Sequence, residues 1–123
     1  METGEVRFIG HVTKVEKDIS TIVINQEYCE GLDRLEMYKK ISILYWFHLR
    51  DNMEHRRVLT VIPRRHSETE ERGVFASHSP SRPNPVGLTV VELVEIENCT
   101  LIVKGLDALE ESPIVDIKPY HHR

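Results

Sequence analysis

Apolar and polar positions change rhythm several times along this chain, and most of the rhythms predict strands. Val6 to Val12 and Ser20 to Ile24 are short and rich in β-branched residues, with Lys14 to Asp18 as a polar link, which predicts a hairpin. After Gly31, the spacing of Leu32, Leu35 and Tyr38 suits one face of a short amphipathic helix of about two or three turns. Ile41 to Phe47 (ISILYWF) carries apolar residues on both alternating sets, as in a strand covered on two sides or in a tightly packed barrel wall, and is the leading core candidate.

Further along, Arg57 to Ile62 predicts a strand ended by Pro63, and the charged run Arg64 to Glu71, which has no hydrophobic period, predicts an exposed, mobile loop. Gly73 to Ala76 is expected as a brief strand. Ser77 to Gly87 contains Pro80, Pro83 and Pro85 and so is excluded from helix and from mid-sheet. Leu88 to Ile96 and Cys99 to Lys104 read as a hairpin turning at Glu97-Asn98, and Ile114 to Ile117 as a last strand before Pro119. The sum is a mainly β fold, a closed or nearly closed single sheet of about seven strands with one short helix.

At 123 residues the chain is expected to form one domain over its whole length, and 40% hydrophobic with 29% charged residues is an ordinary globular balance. The longest apolar run is too short to cross a bilayer and the N-terminus lacks a signal-peptide pattern, so a cytoplasmic location is expected. Cys29 and Cys99 match no metal spacing, and two buried or idle thiols are expected rather than a disulfide or a zinc framework. His121 and His122 do not make a complete metal site, so no metal is expected.

The net charge of −4 argues against a whole-surface grip on nucleic acid, but the charge is unevenly spread. From His48 to Arg82 seven arginines stand against five acids; from Pro83 to Tyr120 seven acids stand against Lys104 and Lys118. A solvated charged surface and a basic rim for an RNA backbone both fit that division.

Candidate chemistry centres on RGVFASHSPSRPNPVGLT, Arg72 to Thr89. Prolines fix φ and lose little further entropy on ligand binding, while Asn84 between Pro83 and Pro85 offers donors and an acceptor in a set direction. A rigid barrel-corner turn without a ligand would need the same prolines, so both readings stand at this point.

The stretch resembles the TsaA-like tRNA methyltransferase family pattern G-V-F-A-T-R-S-P-x-R-P-N-P-I-G-L/M-S, matched at Gly73 to Ala76, Ser79, Pro80, Arg82 to Pro85, Gly87 and Leu88. Leu101 to Tyr120 is similar to the family's closing segment at Leu106, Asp107, Pro113 and Asp116 to Tyr120, and Ile43 to His48 (ILYWFH) to its strand ending in histidine. The resemblance implies a single-sheeted β-barrel that binds S-adenosylmethionine, works as a homodimer, and methylates the exocyclic amine of a threonylcarbamoylated adenosine beside the tRNA anticodon.

Carried over residue by residue, the resemblance implies cofactor contacts at His48, Leu49, His78, Leu88, Asp107, Ala108, Leu109 and Glu110. For the reaction itself, Asn84, Asp107 or a backbone carbonyl would receive the hydrogen bond of the acceptor nitrogen; the basic stretch around Arg56, Arg57, Arg64 and Arg65 would form the RNA rim, with Arg82, Lys118 and Tyr120 as further candidate contacts. Asp107 in a turn would equally cap local amides, and Asp116 and Lys118 would equally pair across a sheet. The chain departs from the pattern in three places. His78 replaces an arginine, losing a bidentate fork; no Pro-Arg-Gln-like segment follows the first strand; and Glu110-Glu111-Ser112 replaces Asp-Gly-Thr, losing a glycine that would ease a positive φ. A binding module, or a methyltransferase for a small molecule or protein, is therefore carried as a second reading.

Overall fold

The short apolar segments pair into a closed barrel. In the computed structural model, which describes residues 2–63 and 70–121, its strands are β1 (Gly10–Glu16), β2 (Ile19–Ile24), β3 (Lys40–Trp46), β6 (Val86–Glu97), β7 (Thr100–Lys104) and β8 (Pro113–Pro119). They close in the order β1-β2-β7-β6-β3-β8, while β4 (Thr60–Val61) and β5 (Arg72–Gly73) form a separate two-stranded sheet. Contacts group the chain into two units, Met1–Trp46 with Leu88–Arg123, and Phe47–Gly87. The expected mainly β, single-sheeted barrel is present.

Alternation decides what fills the first unit. Val12, Ile22, Ile41, Ile43, Leu101, Val103 and Ile114 are wholly buried, each contributing roughly 1.5–3 kcal/mol of transfer free energy. Three register shifts keep these residues inward: between Val12 and Lys14 in β1, between Leu93 and Glu95 in β6, and at Tyr45 opposite β8. The β6 shift sets Ile96 rather than Glu95 opposite wholly buried Leu101, so one inserted residue holds the acids outward through the end of a long strand. Gly10 pairs with Ile24 so closely that a Cβ there would overlap Val23 O, which reserves the position for glycine.

Several expectations are corrected. The first strand starts at Gly10, not Val6; upstream of it Phe8 packs against Trp46 with ring centroids 5.5 Å apart. In place of one α-helix after Gly31 there are two 3₁₀ turns, Gln26–Leu32 and Leu35–Met37, the second entered through Arg34 at φ 69°. That left-handed residue interrupts the helical ladder. Gly73 to Ala76 is a strand only at its first residue, and Val74–Ala76 is a 3₁₀ turn. Cys29 and Cys99 are not idle thiols but a disulfide with Cα atoms 5.4 Å apart, because the first 3₁₀ turn and the β6–β7 turn meet at one barrel rim. The loop expected over Arg64 to Glu71 falls largely on residues 64–69, outside the described residues.

In the second unit the short helix α1 (Met53–Arg56) is capped by Asn52, whose side chain accepts from His55 N at 2.9 Å. Among the described residues no helix is long and apolar enough to cross a membrane.

Candidate functional site

In the unit Phe47–Gly87, the proline loop is stiffened by hydrogen bonds as well as by its rings. Ser77 Oγ accepts from Ser79 N (3.3 Å), and Ser79 Oγ accepts from Ser81 N and donates to Ser81 O (both 3.2 Å). Arg82 Nη1 donates to Ser77 O (3.1 Å) and Ser79 O (3.0 Å), with its guanidinium carbon 6.0 Å from the centre of the Phe75 ring. Arg56 Nη1 donates to Pro83 O (3.0 Å), and Phe47 N to Pro85 O (2.7 Å). The buried Ser81 hydroxyl accepts from Arg50 Nη1 (3.0 Å) and lies 2.8 Å from His55 Nδ1. Together these bonds fix the loop backbone, and Asn84 and His78 stand exposed on it. His48 is half-buried and Leu49 exposed in the turn His48–Arg50.

In the barrel unit the segment between β7 and β8 carries Asp107 to Glu110. It leaves β7 through Gly105 at φ 94°, whose N–H donates to Asp18 O at 2.9 Å. Leu106 is buried, anchoring the segment, while Asp107, Leu109 and Glu110 are exposed and Ala108 is half-buried. Glu110 Oε2 accepts from Val15 N (2.9 Å), and Glu111 N donates to Val12 O (2.7 Å). Glu111 has φ 73°, so the left-handed turn that suits the family's glycine is kept with a residue that has a Cβ. Leu88 on β6 is also exposed.

Tyr45 ties this segment to the barrel. Its ring is buried in β3, its hydroxyl donates to Asp107 O at 2.6 Å, and Thr89 Oγ1 on β6 lies 3.1 Å away. A phenol has one proton; with that proton on Asp107 O, Thr89 is the donor to Tyr45. Burial pushes the Tyr45 hydroxyl above the ordinary phenol value, the Thr89 bond opposes this, and the Asp107 charge adds to it.

The residues assigned to RNA are scattered in their circumstances. Lys118 and Tyr120 are exposed on and just beyond β8; Arg82 Nη1 is already engaged with two carbonyls; Arg64 and Arg65 lie outside the described residues. Asp116 stands opposite Leu44 and accepts from Ile117 N at 2.8 Å. A groove of about 490 Å³ in the barrel unit, bordered by Tyr28, Leu32, Arg34, Tyr38 and Asp116, contains none of the residues the resemblance assigns to the cofactor. Among the described residues no group of three or more His, Cys, Asp and Glu side chains is placed to hold a metal ion.

Sequence reasoning missed Tyr45, Thr89, Ser81, Arg50 and His55. The one signal for Tyr45 was a hydroxyl at an inward position of the otherwise apolar run Ile41 to Phe47, where burial demands a partner.

Residues 11–123 match the tRNA-methyltransferase O N-terminal domain. An S-adenosyl-L-methionine-binding protein of Archaeoglobus fulgidus is 49% identical over 102 residues, covering 83% of this chain and 69% of that protein. A probable S-adenosyl-L-methionine-binding protein of Methanocaldococcus jannaschii is 39% identical over 118 residues, covering 94% of each. Among solved structures, TrmO from Pseudomonas aeruginosa superposes with a TM-score of 0.71 at 27% identity, over 98% of this chain. The present chain spans 57% of that TrmO chain. With the match running over nearly its whole length and the barrel shared, the chain belongs to the tRNA-methyltransferase O N-terminal domain family.

Proposed function

We propose that this protein binds S-adenosylmethionine and transfers its methyl group to the exocyclic nitrogen of threonylcarbamoyl-adenosine next to a tRNA anticodon. Family membership over residues 11–123 carries the reading, and the naming of the archaeal relatives for S-adenosyl-L-methionine binding supports the cofactor. The signature segments occur in both units, so residues 1–123 are taken as one functional domain.

The side chains available suit such a ligand. Asp107 offers an exposed carboxylate for an ammonium, ribose hydroxyls or the sulfonium charge, and Leu88 and Leu109 offer exposed apolar surface for a purine ring. His48, Leu49, His78, Ala108 and Glu110 complete the set, with Glu110 also holding Val15 N. The cofactor supplies an electrophilic methyl on a sulfonium. As that methyl would bond to nitrogen, the carbon–sulfur bond would break to leave a neutral thioether; we assign Asn84 Oδ1 or Asp107 to accept the hydrogen bond of the acceptor N–H, whose proton would leave to the Asp107 carboxylate or to solvent. The protein's task is to hold the nitrogen close and collinear, a positioning effect rather than strong base catalysis.

Arg64, Arg65, Arg82, Lys118 and Tyr120 form the proposed contacts to tRNA. We further propose that the protein acts in the cytoplasm and as a homodimer, the dimer being supported by Val90 and Val94, which leave β6 with exposed apolar side chains. A second reading is a binding module, or a methyltransferase for a small molecule or protein, without tRNA recognition; the absence of a Pro-Arg-Gln-like segment after the first strand keeps it beside the first.

Calorimetric titration with S-adenosylmethionine, followed by methyl transfer to tRNA carrying or lacking the threonylcarbamoyl group, tests these readings. Micromolar binding with transfer only to modified tRNA supports the first. Binding with no transfer to any tRNA moves the assignment to the second, and no binding at millimolar cofactor removes both.

A further inference from the structure

Tyr45 lies on β3 and is not among the residues assigned to the cofactor, yet it controls the direction of a peptide group in the Asp107 to Glu110 segment. Its hydroxyl donates to Asp107 O at 2.6 Å and stands 3.1 Å from Thr89 Oγ1. Residues 106–109 belong to no strand or helix, so no ladder fixes the plane of the peptide between Asp107 and Ala108. The Tyr45 bond fixes it instead. The described chain contains no cis peptide, and in a trans peptide the carbonyl and the following N–H point in opposite directions. Asp107 O faces the buried Tyr45 hydroxyl, so the Ala108 N–H of the same peptide points away from it, and the Asp107 side chain that precedes this N–H in the chain is exposed.

We propose that Tyr45 is a positioning residue for cofactor binding: the relay Thr89 to Tyr45 to Asp107 O turns the Asp107–Ala108 peptide so that the Ala108 N–H and the Asp107 carboxylate are presented together. The proposal rests on the reading of Asp107 to Glu110 as a cofactor segment. An N–H donor beside a carboxylate suits a purine ring nitrogen next to a ribose or an ammonium, and the pairing is lost when the peptide is free to rotate and swings the N–H away from the carboxylate. Thr89 serves the relay by donating to Tyr45, which commits the phenol proton to the carbonyl.

The experiment uses the full chain and the variants Tyr45→Phe, Thr89→Val and Thr89→Ser. Amide hydrogen exchange without cofactor reads the segment itself. Tyr45→Phe is expected to speed exchange at residues 105–112 at least fivefold while amides in the middle of β2 and β7 keep their rates. Titration with S-adenosylmethionine reads the consequence: Tyr45→Phe should weaken binding about five- to tenfold, the scale of one buried hydrogen bond. Thr89→Val should do the same to a smaller degree, and Thr89→Ser, which keeps the hydroxyl, should restore wild-type affinity. In methyl transfer the loss should appear in KM for the cofactor. A wild-type protein that binds the cofactor alongside a Tyr45→Phe protein of equal affinity overturns the proposal. Unchanged exchange at 105–112 overturns it as well, whether or not the cofactor binds. Faster exchange in a wild-type protein that binds no S-adenosylmethionine upholds the relay but overturns its link to the cofactor, and marks the failure as that of the functional reading. Should Tyr45→Phe not fold, the Val and Ser variants at position 89 decide by the same measurements.

Discussion

Cys29 in the first 3₁₀ turn and Cys99 in the β6–β7 turn are bonded across 70 positions of chain, and beside them Ile24 N donates to Cys99 O at 2.8 Å. The covalent tie and the hydrogen bond hold one barrel rim together. Closing so long a loop lowers the entropy of the unfolded chain, and its loss costs roughly 2–4 kcal/mol. Reduction, or Cys99→Ala, is expected to lower Tm by roughly 8–15 °C in thermal melts with and without dithiothreitol. Identical melts would mean that the folded turns need no covalent tie.

Glu111 occupies a left-handed conformation, φ 73°, while its N–H donates to Val12 O at 2.7 Å. A side chain there costs about 1–2 kcal/mol that glycine does not incur, partly offset by glycine's greater freedom in the unfolded state. Glu111→Gly should therefore stabilise the protein by about 0.5–1 kcal/mol, read as a higher midpoint in urea at unchanged slope. A lower midpoint would show that the Glu111 side chain has a favourable contact outweighing its backbone.

Ser20, opposite Val15 across the β1–β2 pair, has a buried Oγ without a hydrogen-bond partner among the described residues. An unpaired buried hydroxyl costs about 1–3 kcal/mol, so Ser20→Ala should be neutral or stabilising by up to about 1 kcal/mol. Destabilisation beyond about 0.5 kcal/mol in the same urea series would reveal a partner for the hydroxyl.

What could be read from the sequence follows from the range of each interaction. Short apolar, β-branched runs are a local signal, so the strands around Ile22, Ile43 and Leu101 were legible. The shifts that keep Ile96 inward were not, because an inserted residue breaks the very alternation that identifies a strand. The 3₁₀ turns were hidden behind the helical spacing of Leu32, Leu35 and Tyr38, since Arg34 carries no mark of a positive φ. Pairing Cys29 with Cys99 required knowing that two distant turns meet. The proline loop announced its stiffness through Pro80, Pro83 and Pro85, while the serine and arginine bonds that fix it depend on side-chain directions that spacing does not encode. For Asp107 the family pattern supplied a position; its tether to Tyr45 came only with the fold.

Burial holds the Tyr45 phenol above its ordinary value, and this has a consequence at alkaline pH. A raised phenol binds its proton more tightly in the folded state than in the unfolded chain. The associated stability is complete below the unfolded value near 10 and is lost as pH rises through it toward the folded value. Spectroscopic titration of phenolate should show one of the four tyrosines ionising above the others, and Tyr45→Phe should remove that component and flatten the fall in stability above about pH 10. Four tyrosines ionising together would mean that solvent reaches the Tyr45 hydroxyl.

Asn84 and Arg82 lie two positions apart in the same loop and should fail in different ways. Arg82 Nη1 bridges Ser77 O and Ser79 O, so Arg82→Ala frees two carbonyls and slackens the backbone that carries His78 and Asn84. Cofactor affinity, methyl transfer and Tm should then fall together, with a loss of roughly 1–2 kcal/mol in stability. Asn84 is exposed, and its backbone carbonyl accepts from Val86 N at 2.8 Å whatever the side chain, so Asn84→Ala leaves the loop intact. If its amide receives the hydrogen bond of the acceptor nitrogen, Asn84→Ala should cut methyl transfer by about a hundredfold at unchanged affinity for S-adenosylmethionine and unchanged Tm. Single-turnover transfer to tRNA, paired with calorimetric titration of the same preparation, separates the two residues. A turnover rate equal to wild type would remove Asn84 from the reaction and leave Asp107 as the remaining assigned acceptor.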